Sequence, residues 1–259
     1  MNLHIAISAW DSSVENVEKI EMQLDTLNPT VINSTTSYRF RNQVTCPNIF
    51  IKQVMHALEK RLSGETLLFI SGDAISNNWL NLVERIDYIF GNDGIGVYSP
   101  YITYEGYPSE KVMLSKSFSD SDLELGVMTD GIVFALNPAI ANFTHRFTLY
   151  LNENFRNTFE VGWGIDWAWC AYAILCGQAI IRDKHFPVLH PQGTSYSPVT
   201  AEEEFRKIVR LLPEFLETEG FSLAEANKVL YGMSERLRGS KKYLQWKAFY
   251  SENPLEGIL

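Results

Sequence analysis

Three short segments carry side chains whose types and spacing suit catalysis. In Phe69-Ile70-Ser71-Gly72-Asp73-Ala74 an apolar run ends in a glycine and a carboxylate. A carboxylate just beyond the C-terminal end of a central strand lies where open α/β sheets bind ligands. Hard divalent cations favour carboxylate oxygens and can bridge a diphosphate. The alternative is that Asp73 caps a helix opening near Asn77. In Gly162-Trp163-Gly164-Ile165-Asp166-Trp167 two glycines around a tryptophan predict a tight, close-packed turn. Asp166 then falls in the first turn of an apolar helix, partly shielded yet able to face a cleft. That suits a general base acting on a sugar hydroxyl. The alternative, an acid favoured by the helix macrodipole, accounts for Asp166 but not for the flanking Gly-Trp-Gly. In the stretch Val188–Tyr196, His190 leaves a strand for a Pro/Gly loop. Neutral imidazole there is a ligand for Mn²⁺ or a similar metal, with a purely structural histidine as the alternative.

Residues this far apart meet only if a sheet brings them to one edge. Leu3–Ala9, Thr30–Asn33, Thr66–Ser71 and Gly94–Tyr98 read as strands. Between them lie a helix opened by a Ser12-Ser13-Val14-Glu15 capping box, a helix over Ile49–Leu62 and one over Asn77–Phe90. This β-α-β-α-β-α-β order predicts an α/β fold with a mostly parallel central sheet and helices on both faces. Tyr101–Leu125, rich in Ser, Asp, Lys and Tyr, predicts loops over the site. Asp130–Leu136 and Phe147–Leu151 read as strands, Gly164–Leu175 as a helix, and Gln178–Arg182 and Pro187–His190 as two short strands. Capping boxes at Thr200–Glu203 and Ser222–Glu225 open helices. The expected organisation is an α/β domain over residues 1–199 and a helical C-terminal extension over 200–259 packed on the same domain. Those helices offer a surface for a homodimer or another partner.

Composition narrows the classes. With 22 basic and 31 acidic residues the formal net charge is 22 − 31 = −9, and the one short basic run is Arg236–Lys242. Nucleic-acid binding draws its affinity from Lys and Arg on phosphates, so nucleic acid is excluded as the main partner. The three cysteines Cys46, Cys170 and Cys176 are odd in number and form no CxxC, which predicts reduced, buried thiols. Met1–Trp10 has no cationic n-region or long apolar run. Val161–Ile181 has membrane-spanning length but holds Asp166, three Trp and three Gly, and reads as a buried helix followed by a strand. A cytoplasmic chain with no transmembrane segment is expected.

The order of Ser71-Gly72-Asp73, Gly162–Asp166 and His190 resembles the GT-A family of nucleotide-sugar glycosyltransferases, with a likeness in layout over roughly residues 3 to 196. That family has a Rossmann-like first half ending in a DXD-type motif, a later acidic motif often preceded by Gly-Trp-Gly, and a C-terminal His. The resemblance implies transfer of a sugar from a nucleotide-diphosphate donor to a hydroxyl of a glycan or other acceptor; a base at Asp166 implies direct displacement with inversion, with retention as the alternative. It implies that Asp73 and His190 hold Mn²⁺ or Mg²⁺ and that Asp166 is the catalytic base. It further implies that Ala9, Trp10 and Asp11 meet the nucleotide, that Asn33 bonds base or ribose, and that Arg39, Arg41 and Lys52 approach the diphosphate. Trp163 would stack on an acceptor sugar, and Tyr98, Tyr101 and Tyr104 would line the acceptor cleft or pack beneath a loop. By analogy such an enzyme serves polysaccharide biosynthesis. An acidic protein that binds a diphosphate needs a metal to neutralise it. Two departures stand out: Ser71 occupies the place of the first DXD acid, and one acid, Asp166, stands where many relatives have Glu-Asp. A nucleotidyltransferase is a competing class, but it expects a Gly-rich phosphate loop where this chain has Ala9-Trp10-Asp11-Ser12-Ser13. A catalytically inactive carbohydrate- or protein-binding domain on the same fold is the other.

Overall fold

Successive side chains in the central strands are apolar on both sides, so both faces of the sheet must be covered. Leu67 and Phe69 belong to one buried cluster and Leu68 and Ile70 to the other, and Phe134 with Leu136 against Val133 with Ala135 repeat the alternation. The computed structural model describes residues 2–10, 13–33, 49–103, 109–111, 122–155, 158–159, 161–190 and 198–238. Its first half runs Leu3–Ala9 (β1), Val14–Leu24 (α1), Thr30–Asn33 (β2), Ile49–Lys60 (α2), Thr66–Ser71 (β3), Trp79–Phe90 (α3) and Ile95–Ile102 (β4). There follow Ser109–Lys111 (β5), Leu123–Gly126 (β6), Val133–Leu136 (β7), Pro138–Asn154 (α4), Ile165–Leu175 (α5), Ala179–Val188 (β8), Pro198–Thr218 (α6) and Leu223–Arg238 (α7).

The strands form one eight-stranded sheet in the order β2-β1-β3-β7-β4-β8-β6-β5. β1 pairs in parallel with β2 and β3, and β4 with β8, whereas β7 and β6 pair antiparallel with their neighbours. β1, β2, β3, β4, β5 and β8 therefore point one way and only β6 and β7 the other. The expected α/β sheet is present, and it is mixed in pairing even though most strands share a direction. α1 and α3 cover one face with Val17, Ile20, Leu24, Trp79, Leu82, Ile86 and Ile89. α2, α4, α5, α6 and α7 cover the other in one continuous core. An aromatic column crosses that core. Phe69 of β3 stacks on Phe134 of β7 with ring centroids 5.1 Å apart, and Phe134 stacks on Trp169 of α5 at 4.4 Å.

Several local expectations are corrected. Phe147–Leu151 is part of α4 rather than a strand. The Asn137 side chain accepts from the Ile140 N–H with Pro138 behind it, and Ile140, Phe143, Phe147 and Leu151 are buried at helical spacing. The two short strands expected over 178–190 are one strand, β8, whose register against β4 shifts between Pro100 and Tyr101. Two strands, β5 and β6, occur inside the stretch expected to be loop. Ser13 is the N-cap of α1, and its hydroxyl is engaged with the Trp10 backbone instead of the helix N–H groups. α6 opens at Pro198, so Thr200 lies inside it, whereas the Ser222–Glu225 box forms reciprocally. Cys170 is buried as expected, Cys176 is exposed, and Cys46 lies outside the described residues. Val161–Ile181 does resolve into a helix followed by a strand, and among the described residues no helix is long and apolar enough to cross a membrane.

The aromatic column makes a quantitative expectation. Phe134 is fully buried between two stacked rings, so Phe134→Ala removes both contacts and leaves a cavity. Urea denaturation should register a loss of about 3–5 kcal/mol; a loss under about 1 kcal/mol would mean the column is not a principal support of the core.

Candidate functional site

β3 and β8 point the same way, and their ends converge. Ile75 and Leu189 form an antiparallel bridge just past those ends, exchanging both backbone hydrogen bonds at 2.8 and 3.0 Å. The bridge carries His190 to Asp73: the imidazole Nε2 lies 3.1 Å from Asp73 Oδ2 across 117 positions of sequence. The Ser71 hydroxyl donates to the other carboxylate oxygen, Oδ1, at 2.7 Å. Ser71 therefore orients the Asp73 carboxylate. Asp73 does not cap α3; that position belongs to Asn78, whose side chain accepts from the Asn81 N–H.

Gly72 is required by close approach. A Cβ on it would lie 2.3 Å from the Ser8 carbonyl oxygen of β1 and 2.8 Å from the Ser13 hydroxyl. Asn16 of α1 then donates from its amide to the carbonyls of both Gly72 and Ala74, each at 2.8 Å, and fixes the backbone on either side of Asp73. Burial pushes the Asp73 carboxyl up, but the hydrogen bond and charge of His190, with help from Ser71 and its own backbone, hold it below the usual carboxylate range. The Asp73 side chain is 34% exposed and that of His190 13%, so the pair stands at a surface and not in the core.

The second half of the site lies on the same edge of the sheet. The N–H of Phe50, at the start of α2, donates to the Val161 carbonyl at 2.8 Å. Gly131 lies against Phe50: a Cβ added to it would be 2.7 Å from the ring. The N–H of Ser71 donates to the Ile132 carbonyl at 2.8 Å. These contacts tie the exit of β3, the entry to β7, the start of α2 and the Gly162-Trp163-Gly164 turn into one chain. Both glycines of the turn have left-handed φ values, 102° and 105°. A side chain at Gly162 would also strike Ile51, and one at Gly164 would press on Phe205. The turn delivers Trp163 and Asp166 half-buried, with Asp166 in the first turn of α5 and its Oδ1 accepting from the Trp167 N–H at 2.9 Å.

The remaining expected residues divide. Ala9 is buried at the end of β1 and pairs in register with Asn33, which is exposed at the end of β2; Trp10 follows, half-buried. Lys52 is half-buried on α2 and Tyr101 half-buried on β4. Tyr98 cannot line a cleft: it is fully buried, its hydroxyl donating to Asp183 at 3.3 Å beside the buried Arg85–Asp183 ion pair. Asp11, Arg39, Arg41 and Tyr104 lie outside the described residues. Two residues escaped the sequence reading. Asn16 carries no pattern that marks it, being one polar residue on an amphipathic helix. Glu204 does carry a signal, an acid set in the apolar stripe Ala201, Phe205, Ile208, Leu212 of α6. It is buried and accepts from the backbone N–H groups of Val161, Gly162 and Trp163.

A carboxylate oxygen and an imidazole nitrogen side by side fit a divalent metal such as Mn²⁺. Among the described residues no group of three or more His, Cys, Asp and Glu side chains is gathered for one, and Asp73 and His190 would supply two of its ligands.

By sequence, no family model and no curated protein matches this chain. Solved structures resemble it in layout. A mannosyltransferase from Pyrobaculum calidifontis, in complex with GDP-Man and Mn²⁺, shares 10% identity over 98% of this chain and 77% of its own, with a TM-score of 0.47. GalNAc-T7 with UDP, GalNAc and Mn²⁺ shares 12% over 90% of this chain and 55% of its own, so this chain spans just over half of it, with a TM-score of 0.45. CMP:2-keto-3-deoxy-manno-octonic acid synthetase complexed with CTP shares 8% over 82% of this chain and 100% of its own, with a TM-score of 0.39. None superposes closely enough to carry a residue's role across.

The crowding at Gly72 is directly testable. Gly72→Ala forces its methyl against a strand carbonyl that cannot move aside, and should cost about 1–3 kcal/mol in chemical denaturation. Gly64→Ala, with nothing within 4 Å of the added carbon, is the control and should be close to neutral. Equal effects of the two would contradict the close approach of β3 to β1.

Proposed function

We propose that the chain is a glycosyltransferase that moves a sugar from a nucleotide-diphosphate donor to a hydroxyl group, with inversion at the anomeric carbon. The observation that carries this is the Asp73–His190 contact on the sheet edge where β1 and β2 also end, the edge that holds the half-buried Trp10 and the exposed Asn33. In that reading Trp10 and Asn33 meet the nucleotide and Trp163 packs against the acceptor. Asp73 and His190 would hold Mn²⁺ or Mg²⁺ against the diphosphate, where a bound cation neutralises charge on the leaving nucleotide. Asp166 takes the proton of the acceptor hydroxyl as its oxygen bonds to the anomeric carbon; the bond from that carbon to the diphosphate oxygen breaks, and the nucleoside diphosphate departs. A net charge of −9 fits this reading because nothing but a metal and a few local cations could neutralise a bound diphosphate.

The test is a thermal-shift panel of nucleotide sugars with and without Mn²⁺. A donor at about 100 times its Kd stabilises by about 2.7 kcal/mol, which moves the midpoint by several degrees. Asp73→Asn and His190→Ala should shrink the Mn²⁺-dependent part of that shift. Asp166→Asn should leave the shift intact and lower turnover by about 10²–10⁴-fold. A wild-type chain that responds to no nucleotide sugar would overturn the proposal, and an Asp166→Asn variant of undiminished rate would remove Asp166 as the base.

A further inference from the structure

We infer that Glu204 is the positioning residue for the acceptor side of the site, acting through the turn that carries Trp163 and Asp166. The inference rests on the glycosyltransferase reading of Asp166. Glu204 is only 2% exposed, on the face of α6 that packs against α5. Its Oε2 accepts from the N–H groups of Gly162 at 2.9 Å and of Val161 and Trp163 at 3.3 Å, and Oε1 accepts from Val161 at 3.2 Å.

Three consecutive N–H groups converge on one carboxylate, the concave arrangement by which backbone binds an anion. The left-handed φ values of Gly162 and Gly164 shape that concavity; Ile51 leaves no room for a side chain at Gly162, and Phe205 crowds one at Gly164. No regular element could satisfy these N–H groups, because the turn has its glycines in conformations that strands and helices do not use. An acid placed in the apolar stripe of α6 does so instead.

The consequence is mechanical. Asp166 is two residues past Gly164, and Trp163 lies between the glycines. Without the carboxylate, two buried donors and one half-buried donor lose this acceptor, and the turn must shift to find water. A base that must lie within hydrogen-bond reach of an acceptor hydroxyl tolerates little displacement; about 1 Å costs on the order of 100-fold in rate. Glu204 touches no reacting atom, so its effect appears in kcat and not in donor affinity, which Asp73 and His190 govern from the other end of the edge.

The test uses the full chain and the nucleotide sugar that shifts the wild-type melting midpoint most, with hydrolysis as the reaction and water as the acceptor. Glu204→Ala should lower kcat about 100-fold with KM for the donor unchanged. Glu204→Gln keeps the volume and one acceptor oxygen, and should fall between the two, about 10-fold below wild type. Amide hydrogen exchange should quicken at residues 161–163 in the order wild type, Gln, Ala, while amides at 71–75 keep their protection. Leu216→Ala, buried near the far end of α6, is the control for general loosening: it should lower the melting midpoint and leave kcat at the wild-type value below that midpoint. If Glu204→Ala does not fold, Glu204→Gln decides alone. Faster exchange at 161–163 with kcat unchanged overturns the positioning role, as does a kcat loss in Leu216→Ala equal to that of the Glu204 variants. A wild-type chain that hydrolyses no nucleotide sugar fails at the earlier step and overturns the transferase reading itself.

Discussion

The stack of Phe69, Phe134 and Trp169 is the interaction on which the rest of the site depends. It runs from β3 through β7 to α5, and so sets the strand that leads to Asp73 against the helix whose first turn holds Asp166. Rings stacked at 4.4 and 5.1 Å leave little freedom for α5 to slide along the sheet. Phe50 meets Phe69 edge-on with centroids 6.1 Å apart, which brings the start of α2 into the same column. The N–H of Phe50 then anchors Val161. Two segments far apart in sequence, the turn after β3 and the turn before α5, are therefore held at one edge by a continuous apolar support.

That support explains why β7, one of the two strands that run against the rest, is reversed between β3 and β4. β7 runs antiparallel between β3 and β4, so its start, not its end, lies at the edge where β3 and β4 finish. Its entry residues Gly131 and Ile132 can then reach both the exit of β3 and Phe50. A parallel strand in that place would bring its terminal residues to the same edge but would send the chain onward from there. The antiparallel strand instead leaves the opposite edge through Asn137 into α4, which packs against α2 and α5 on the core face.

Much of the fold was legible because its strands are short, apolar and separated by punctuated helices. β1, β2 and β3 have the bounds that their apolar runs predict, since each is flanked by polar or turn residues that stop the pattern. Phe147–Leu151 misled for a physical reason: alternation over five residues fits a strand, but the cap at Asn137 had already committed the chain to a helix. Tyr98 misled because a tyrosine at the end of an expected strand looks like a site residue, whereas β4 continues to Ile102 and leaves Tyr98 inside the core with Asp183. Asp73 and His190 stand just past the ends of β3 and β8, and the family resemblance implies that they meet. The Ile75–Leu189 bridge that brings them together was not legible, because it pairs two exposed apolar residues beyond the strand ends.

Asn16 and Glu204 were the harder residues to see, and they share a principle. Each is a polar side chain from a helix that gives its hydrogen bonds to irregular backbone rather than to solvent. Turns that hold functional side chains have N–H and C=O groups that no ladder satisfies, and leaving such groups unpaired costs about 1–3 kcal/mol each. A fold that places chemistry on turns must therefore supply partners from neighbouring elements. Asn16 does this with donors for the carbonyls around Asp73, and Glu204 with acceptors for the N–H groups before Asp166. The complementarity follows from the backbone: the turn after β3 presents C=O groups to α1, while the turn before α5 presents N–H groups to α6. An amide in the first place and a carboxylate in the second are the side chains that match: a carboxylate in the first could donate nothing to the two carbonyls, and an amide in the second would keep one acceptor oxygen in place of two.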